Sequence, residues 1–431
     1  MDSPKVKKMT EQNEAANTTV KKSQKDMTKA ERRALQEKQR AEKAARKAAT
    51  AQQPVGQKSA AIKPPTKPGA SSEQAKPTKA KTASVKQEDE TEVSLFSHLE
   101  IPKGPNTSNL AEDLHPAVVS LGLQFAQFKI CGSNARCIAT LTAFKKLIQD
   151  YRTPPHTTLS RHLPTYLSPQ IAYLVQCRSM STSMGNAIRQ LKYEISILDI
   201  DMPDEDAKTH LIEKIDLFIR DRITMADTLI VQIGMQKIQN GDVIMTYGRS
   251  SVVQALLLSA KKKGLNFRVI VVDSKPRFEG KQLLRQLCDA DIKCTYVQLN
   301  AVSFVMPEVT KIFLGAHSLL SNGSLYARVG TAMVAMAAHD QRIPVIVLCE
   351  TYKFTDRVQL DSIVTNELAH PEELIPEEDA QLTREIKNLN FINLMYDVTP
   401  SKYVTAVITE LGIVPCTSVP VVLREYKPML Q

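Results

Sequence analysis

The chain has 431 residues, a length that points to two or three folded units at roughly 100–200 residues per domain. Apolar residues make up 42% and aromatic residues 5%, enough for a sizeable core, which excludes a fibrous or wholly disordered chain. The formal charge is +10, yet residues 1–86 hold 21 Lys and Arg against 8 Asp and Glu, leaving 35 basic and 38 acidic residues for the rest. The basic excess therefore belongs to the N-terminal fifth, and the remainder is mildly acidic.

No run approaches the roughly 18 apolar residues that span a bilayer, and Met1-Asp2-Ser3-Pro4-Lys5 has no apolar stretch behind its charges. The expectation is a cytosolic protein with no membrane contact. Cysteines stand at 131, 137, 177, 288, 294, 349 and 416, without a CxxC pair or histidines at zinc-finger spacing. They read as reduced, buried thiols, and no metal is expected.

Residues 1–90 are rich in Lys, Ala, Gln, Ser and Pro and nearly lack large aliphatics. Such a segment buries too little surface to offset the entropy of ordering, so a disordered arm is expected. Inside it, Thr28-Lys29-Ala30-Glu31 has capping-box spacing and opens a run of helix formers, Arg32–Ala49, with Leu35 as its one large apolar residue. A lone helix and then a linker through Pro64, Pro65, Pro68 and Pro77 follow from this pattern.

Residues 91–235 read as a helical domain. Val118, Leu121, Leu123, Phe125 and Phe128, then Ile138, Leu141, Phe144, Leu147 and Ile148, fit helices with one buried face. Further helical runs cover Ile171–Arg178, Met184–Leu198 and Asp206–Ile238.

From 236 to 431 the pattern changes to β-branched runs at Val243–Met245, Val269–Val272, Thr295–Val297, Ile312–Leu314 and Val345–Leu348. Helical stretches Val252–Lys263, Gly280–Ala290 and Gly330–His339 alternate with them. Continuous apolar strands between helices predict an α/β fold, a doubly wound, Rossmann-like parallel sheet that binds ligands at its strand ends.

The loops there are the candidate site. Gly248, Arg249 and Ser250 lie between a strand and a helix, where backbone N–H groups cradle an anion or form a tight turn. Neither a P-loop lysine nor spaced dinucleotide glycines accompany them, so no nucleotide cofactor is expected. Asp273 ends the second strand, suited to a ribose hydroxyl or to capping its own loop. His317 has the chemistry of an acid or base but no partner at useful spacing, and Asn322-Gly323 is a turn signal.

Taken together, Gly132-Ser133-Asn134-Ala135-Arg136-Cys137, Asp273-Ser274-Lys275-Pro276, Gly315–Thr331 and Cys349-Glu350-Thr351-Tyr352-Lys353-Phe354 resemble the regulatory subunits of eukaryotic translation initiation factor 2B. The last stretch, Thr365-Asn366-Glu367-Leu368 and the Lys-rich arm resemble the delta branch of that family. The α/β part also resembles methylthioribose-1-phosphate isomerases. Those carry Thr-His-Cys where this chain has Thr246-Tyr247-Gly248, and Gly-Ala-Asp where it has Gly315-Ala316-His317.

The resemblance thus implies that Gly248 and His317 replace the catalytic thiol and carboxylate, leaving a fold without the chemistry. It implies a noncatalytic regulatory subunit of the guanine-nucleotide exchange complex for initiation factor 2. Its partners would be the alpha, beta, gamma and epsilon subunits of factor 2B and the alpha subunit of factor 2, phosphorylated and unmodified. Arg178, at a helix end, is the expected groove contact for that ligand, or an ordinary C-terminal helix cation. The alternatives are a sugar-phosphate isomerase with altered catalytic groups and an RNA-binding protein acting through the basic arm.

Overall fold

The computed structural model describes residues 94–99, 101, 114–375, 378, 386 and 389–430. The expected arm, its helix at 32–49 and the proline-rich linker lie outside the described residues. The described residues belong to one compact unit.

Among the described residues six α-helices come first: α1 Pro116–Ala126, α2 Ser133–Asp150, α3 Leu159–Cys177, α4 Thr182–Ser196, α5 Asp204–Phe218 and α6 Ala226–Met235. Local chemistry sets their starts. His115 accepts the Ala117 N–H at 3.2 Å ahead of Pro116, Ser181 accepts the Met184 N–H at 3.3 Å, and Asp204, Glu205 and Asp206 fill the first turn of α5. A π-helical segment, Ile219–Met225, joins α5 to α6, so the single run expected from Asp206 to Ile238 is continuous but widened in its middle. Its apolar stripe faces two environments. Leu211, Ile215 and Ile223 pack among the helices, while Ile230 and Val231 join the core of the sheet.

The sheet has seven strands in the order β11-β10-β7-β4-β1-β2-β3. They are β1 Val243–Tyr247, β2 Arg268–Asp273, β3 Lys293–Gln298, β4 Lys311–Gly315, β7 Val345–Leu348, β10 Ala406–Thr409 and β11 Gly412–Val414. All pairs are parallel except β10–β11. Helices α7 Ser251–Lys262, α8 Gly280–Asp289 and α9 Thr331–Asp340 alternate with the strands, and α10 Val419–Leu430 follows them. Among the parallel strands this order is that of the doubly wound nucleotide-binding fold, and it reverses between β1 and β4. The α/β expectation is therefore met.

A second sheet was not foreseen. It orders β8 Phe354–Thr355, β5 Ser318–Leu320, β6 Leu325–Arg328 and β9 Tyr396–Thr399. Gly315–Thr331, read as ligand loops, supplies its central hairpin, with Ser318 opposite Tyr326. Helix α3 is also longer than expected, because Pro164 and Pro169 lie inside it. The cysteine expectation is met in part: all seven are free, but Cys288, in the last turn of α8, is exposed, and Cys131 and Cys294 are half-buried. Among the described residues, no helix is long and apolar enough to cross a membrane.

Strand β7 lies between β4 and β10, and Val347 is fully buried there, opposite Leu314 and Val407. Val347→Asp places an unpaired charge in that layer at a cost of at least several kcal/mol, comparable with the stability of a domain. The variant is expected in the insoluble fraction, whereas Val347→Ile stays soluble with an unfolding midpoint near that of the parent; solubility and thermal melting measure both.

Candidate functional site

The reversal between β1 and β4 leaves a crevice at their C-terminal ends, where doubly wound sheets take ligands. Side chains of this chain occupy it. Tyr247, the last residue of β1, donates to the Val329 carbonyl and shares a 2.7 Å hydrogen bond with Ser274 Oγ. Gly330, at φ +104°, makes room for it: a Cβ there would lie 2.4 Å from the Tyr247 hydroxyl. Ser250 fills the next gap, since a Cβ on Gly315 would come within 2.4 Å of its side chain. What remains is a cavity of about 40 Å³ lined by Tyr247, Gly248, Asp273, Ser274, Arg328 and neighbouring loops. Small-molecule sites run to several hundred cubic ångströms, so this one has space for water and not for a sugar phosphate.

The residues expected to form one site are spread over several roles. Gly248, at φ +59°, and Asp273 line the residual cavity. Asp273 is already engaged, accepting the Tyr296 hydroxyl at 3.1 Å and the Ser274 N–H at 3.0 Å. Ser250 caps α7. Arg249 turns outward and donates to Gln282 Oε1 at 2.9 Å. Asn322 holds the β5–β6 turn, donating to the Gln359 carbonyl at 3.0 Å and accepting the Ser324 N–H at 3.1 Å.

His317 packs on two tyrosines, its ring centroid 4.5 Å from Tyr396 and 5.7 Å from Tyr326. Burial, and then the charges of Arg136, Arg328, Arg178 and Lys353, push its pKa well below the usual imidazole range. The neutral imidazole is the favoured form there, so His317 is not placed to work as an imidazolium acid.

Arg178 requires a correction. Instead of an exposed groove cation it is 1% exposed, with Nε 2.7 Å from Glu367 Oε1 and Nη2 3.4 Å from the Tyr396 hydroxyl. The reason is its position: it ends α3 where the helices meet the second sheet, and its guanidinium lies 4.3 Å from the ring centre of Phe128.

Three more arginines gather around it. Arg277 stacks on Phe128 at 3.7 Å and pairs with Glu373, Arg328 pairs with Glu279, and Arg136 donates to the Ser179 carbonyl at 2.5 Å. Four guanidinium groups thus face three carboxylates. Burial, and next Arg178, lower the Arg136 pKa to about 10. Sequence reasoning missed this cluster, because arginines at 136, 178, 277 and 328 carry no spacing signal and their partners are remote in the chain.

A second buried network joins the helices to the main sheet through the loop after β7. Lys353 Nζ lies 2.6 Å from Glu350 Oε2, and Glu350 also accepts from Asn134 Nδ2 of α2 at 2.5 Å. The Tyr352 hydroxyl donates to Asn134 Oδ1 at 2.6 Å, and Asn186 of α4 donates to the carbonyls of Tyr352 and Phe354. Asp227 of α6 hydrogen-bonds Glu350, and its pKa is raised, first by burial and then by the Glu350 charge. Glu410, beyond β10, accepts the Thr351 N–H at 3.0 Å.

The chain is similar to two known kinds of protein. The model of the initiation factor 2 subunit family matches residues 129–416. The translation initiation factor eIF2B subunit delta of Schizosaccharomyces pombe is 52% identical over 348 residues, 79% of this chain and 74% of that one. A chain of the tetrameric eIF2B beta2-delta2 complex from C. thermophilum superposes with a TM-score of 0.66 at 40% identity, covering 74% of this chain and 97% of that one. The ribose 1,5-bisphosphate isomerase of Pyrococcus furiosus is 31% identical over 58% of this chain and 77% of its own length.

Two outcomes follow from the buried charges. Arg178→Ala leaves Glu367 buried without its cation, a loss of about 3–5 kcal/mol; replacing both, Arg178→Met with Glu367→Gln, recovers part of it. Denaturant unfolding measures the difference. Asp397 accepts the N–H groups of Gly330 and Ala332, yet burial raises its pKa from 3.8 to about 7. The folded state therefore holds a proton that the unfolded state has lost, so its stabilising share is complete below about pH 4 and is lost as pH rises through about 7. Asp397→Asn should flatten the melting midpoint over that window.

Proposed function

This chain belongs to the initiation factor 2 subunit family, and on that premise we propose that it is the delta-type regulatory subunit of the complex that exchanges GDP for GTP on initiation factor 2. The observation that carries the reading is 52% identity to a delta subunit over most of both chains. The crystallised beta2-delta2 tetramer supports pairing with a homologous beta subunit, and the alpha, gamma and epsilon subunits complete the assembly. The complex works in the cytosol.

In this reading the chain performs no chemistry itself. By the resemblance to isomerases, Gly248 and His317 replace the catalytic thiol and carboxylate, and the residual cavity of about 40 Å³ is too small for that substrate. Residues 236–431 serve assembly, and the helical part, 91–235, meets the alpha subunit of factor 2. Buried Arg178 supports that surface from beneath and does not touch the ligand. A contact is better served by the helical cavity of about 300 Å³ beside the π-helical segment, lined by Gln190, Glu194, Lys214, Phe218, Asp221 and Arg222. Phosphorylation of the ligand adds close to two negative charges and changes how it engages such a mixed-charge surface.

The test is replacement of the S. pombe delta subunit by this chain. Purified complexes should contain all five kinds of subunit and exchange nucleotide on factor 2, with exchange falling when phosphorylated factor 2 is added. Failure to enter the complex contradicts the assembly role; entry with exchange indifferent to phosphorylation contradicts the regulatory one.

A further inference from the structure

Helices α4 and α5 and the π-helical segment border the cavity of about 300 Å³, and one group in its wall is incompletely bonded. Glu194 of α4 is 9% exposed. Its Oε1 accepts from Gln190 Nε2 at 2.7 Å, but its Oε2 is buried and receives no hydrogen bond. Lys214 of α5 stands 3.6 Å from that oxygen, beyond hydrogen-bond reach, and its side chain is 37% exposed. A carboxylate taken out of water and left one donor short carries a cost that an incoming donor removes. The floor beneath it is fixed. Asn186, one turn before Gln190, donates to the Tyr352 carbonyl at 2.7 Å, and Phe218 packs edge-on against the Tyr352 ring.

Resting on the reading that this face meets the alpha subunit of factor 2, we propose that the cavity is an arginine pocket. A guanidinium group of that ligand enters it, displaces Lys214 and completes the hydrogen bonding of Glu194. A guanidinium gives parallel N–H groups to one carboxylate while its planar face lies against an apolar or aromatic wall, here Leu217 and Phe218. An ammonium is a compact, strongly hydrated point charge and leaves such a wall uncovered. Asp221, in the same lining, is exposed and paired with Arg220, and it adds negative charge on the solvent side of the cavity.

A purely structural Glu194 would tie α4 to α5. At 3.6 Å its link to Lys214 is weak, and Gln190, which takes the other oxygen, lies on the same helix, so no hydrogen bond from the carboxylate reaches α5. Asn186 contrasts with it, since its amide is spent on the carbonyls of Tyr352 and Phe354 and its oxygen on Arg189. In the free chain Lys214 holds the place of the arriving cation. It yields readily, because a part-exposed ion pair of that length contributes little.

Complexes purified with this chain in place of the S. pombe delta subunit test this by equilibrium binding of the alpha subunit of factor 2, phosphorylated and unmodified. Glu194→Gln keeps the side-chain shape and removes the charge; it should weaken at least one form about tenfold, the scale of one charge-assisted hydrogen bond. Lys214→Ala should tighten the same form by removing the competitor. An alanine scan of the ligand's arginines should find one whose loss weakens binding to the parent complex about tenfold and to the Glu194→Gln complex less than about twofold. Should Glu194→Gln not assemble, Lys214→Ala decides alone. Parent-like binding of both forms by Glu194→Gln, a scan without a coupled arginine, or binding not tightened by Lys214→Ala overturns the pocket. A ligand that does not bind the parent complex at all overturns instead the reading on which the pocket rests, and the pocket with it.

Discussion

The ion pair between Lys353 and Glu350 sits at the centre of a buried polar network that joins the helices to the loop after the central strand. Both groups are almost wholly buried, at 5% and 0% exposure, in a loop that immediately follows the central strand β7. Removing two charges from water costs several kcal/mol per ion, and the pair recovers this only if every remaining lone pair finds a donor. Burial disfavours the Glu350 charge, but Lys353 together with hydrogen bonds from Asp227 and Asn134 more than offsets it and keeps the carboxyl below its usual range. Those donors come from α6 and α2. The pair therefore draws its other partners from the helices, which ties them to the loop after β7.

Tyr352 extends the same constraint by hydrophobic means. It stands between the two charged residues in sequence, yet its ring is buried in the helical core, edge-on to Phe218 with centroids 6.1 Å apart. The stretch Cys349–Phe354, which carries part of the family resemblance, is thus a strap in this molecule. The crevice shows the same shift of role. Tyr247, Ser250 and Asp273, at positions suited to ligand work, hold one another or the loops beside them. The chain is similar both to eIF2B delta subunits and to ribose 1,5-bisphosphate isomerases, and in it these crevice positions serve the fold.

The main sheet was legible because its strands are short β-branched runs buried on both faces, a pattern that depends only on local sequence. The second sheet was not. Its strands have two to four residues, and β8, Phe354–Thr355, exists only through pairing with Leu319 and Leu320. Pro164 and Pro169 concealed the first half of α3, since proline argues locally against the helix that tertiary packing imposes. Glycines were read correctly as points of close approach, but what approached was Tyr247 and Ser250, not a ligand. Arg178 shows the deepest limit: a helix-end cation reads as solvent-facing until Glu367, remote in the chain, is brought beside it.

Filling of the crevice by the chain's own side chains, which leaves a cavity of about 40 Å³, is the central structural claim. It is tested most directly by titrating ribose 1,5-bisphosphate into the chain assembled with its partner subunits, following heat and isomerised product together. The account predicts no isomerised product and, for Tyr247→Ala only, any saturable heat assigned to this crevice. Saturable binding or turnover by the unaltered complex that disappears on replacing His317 or Asp273 would contradict it.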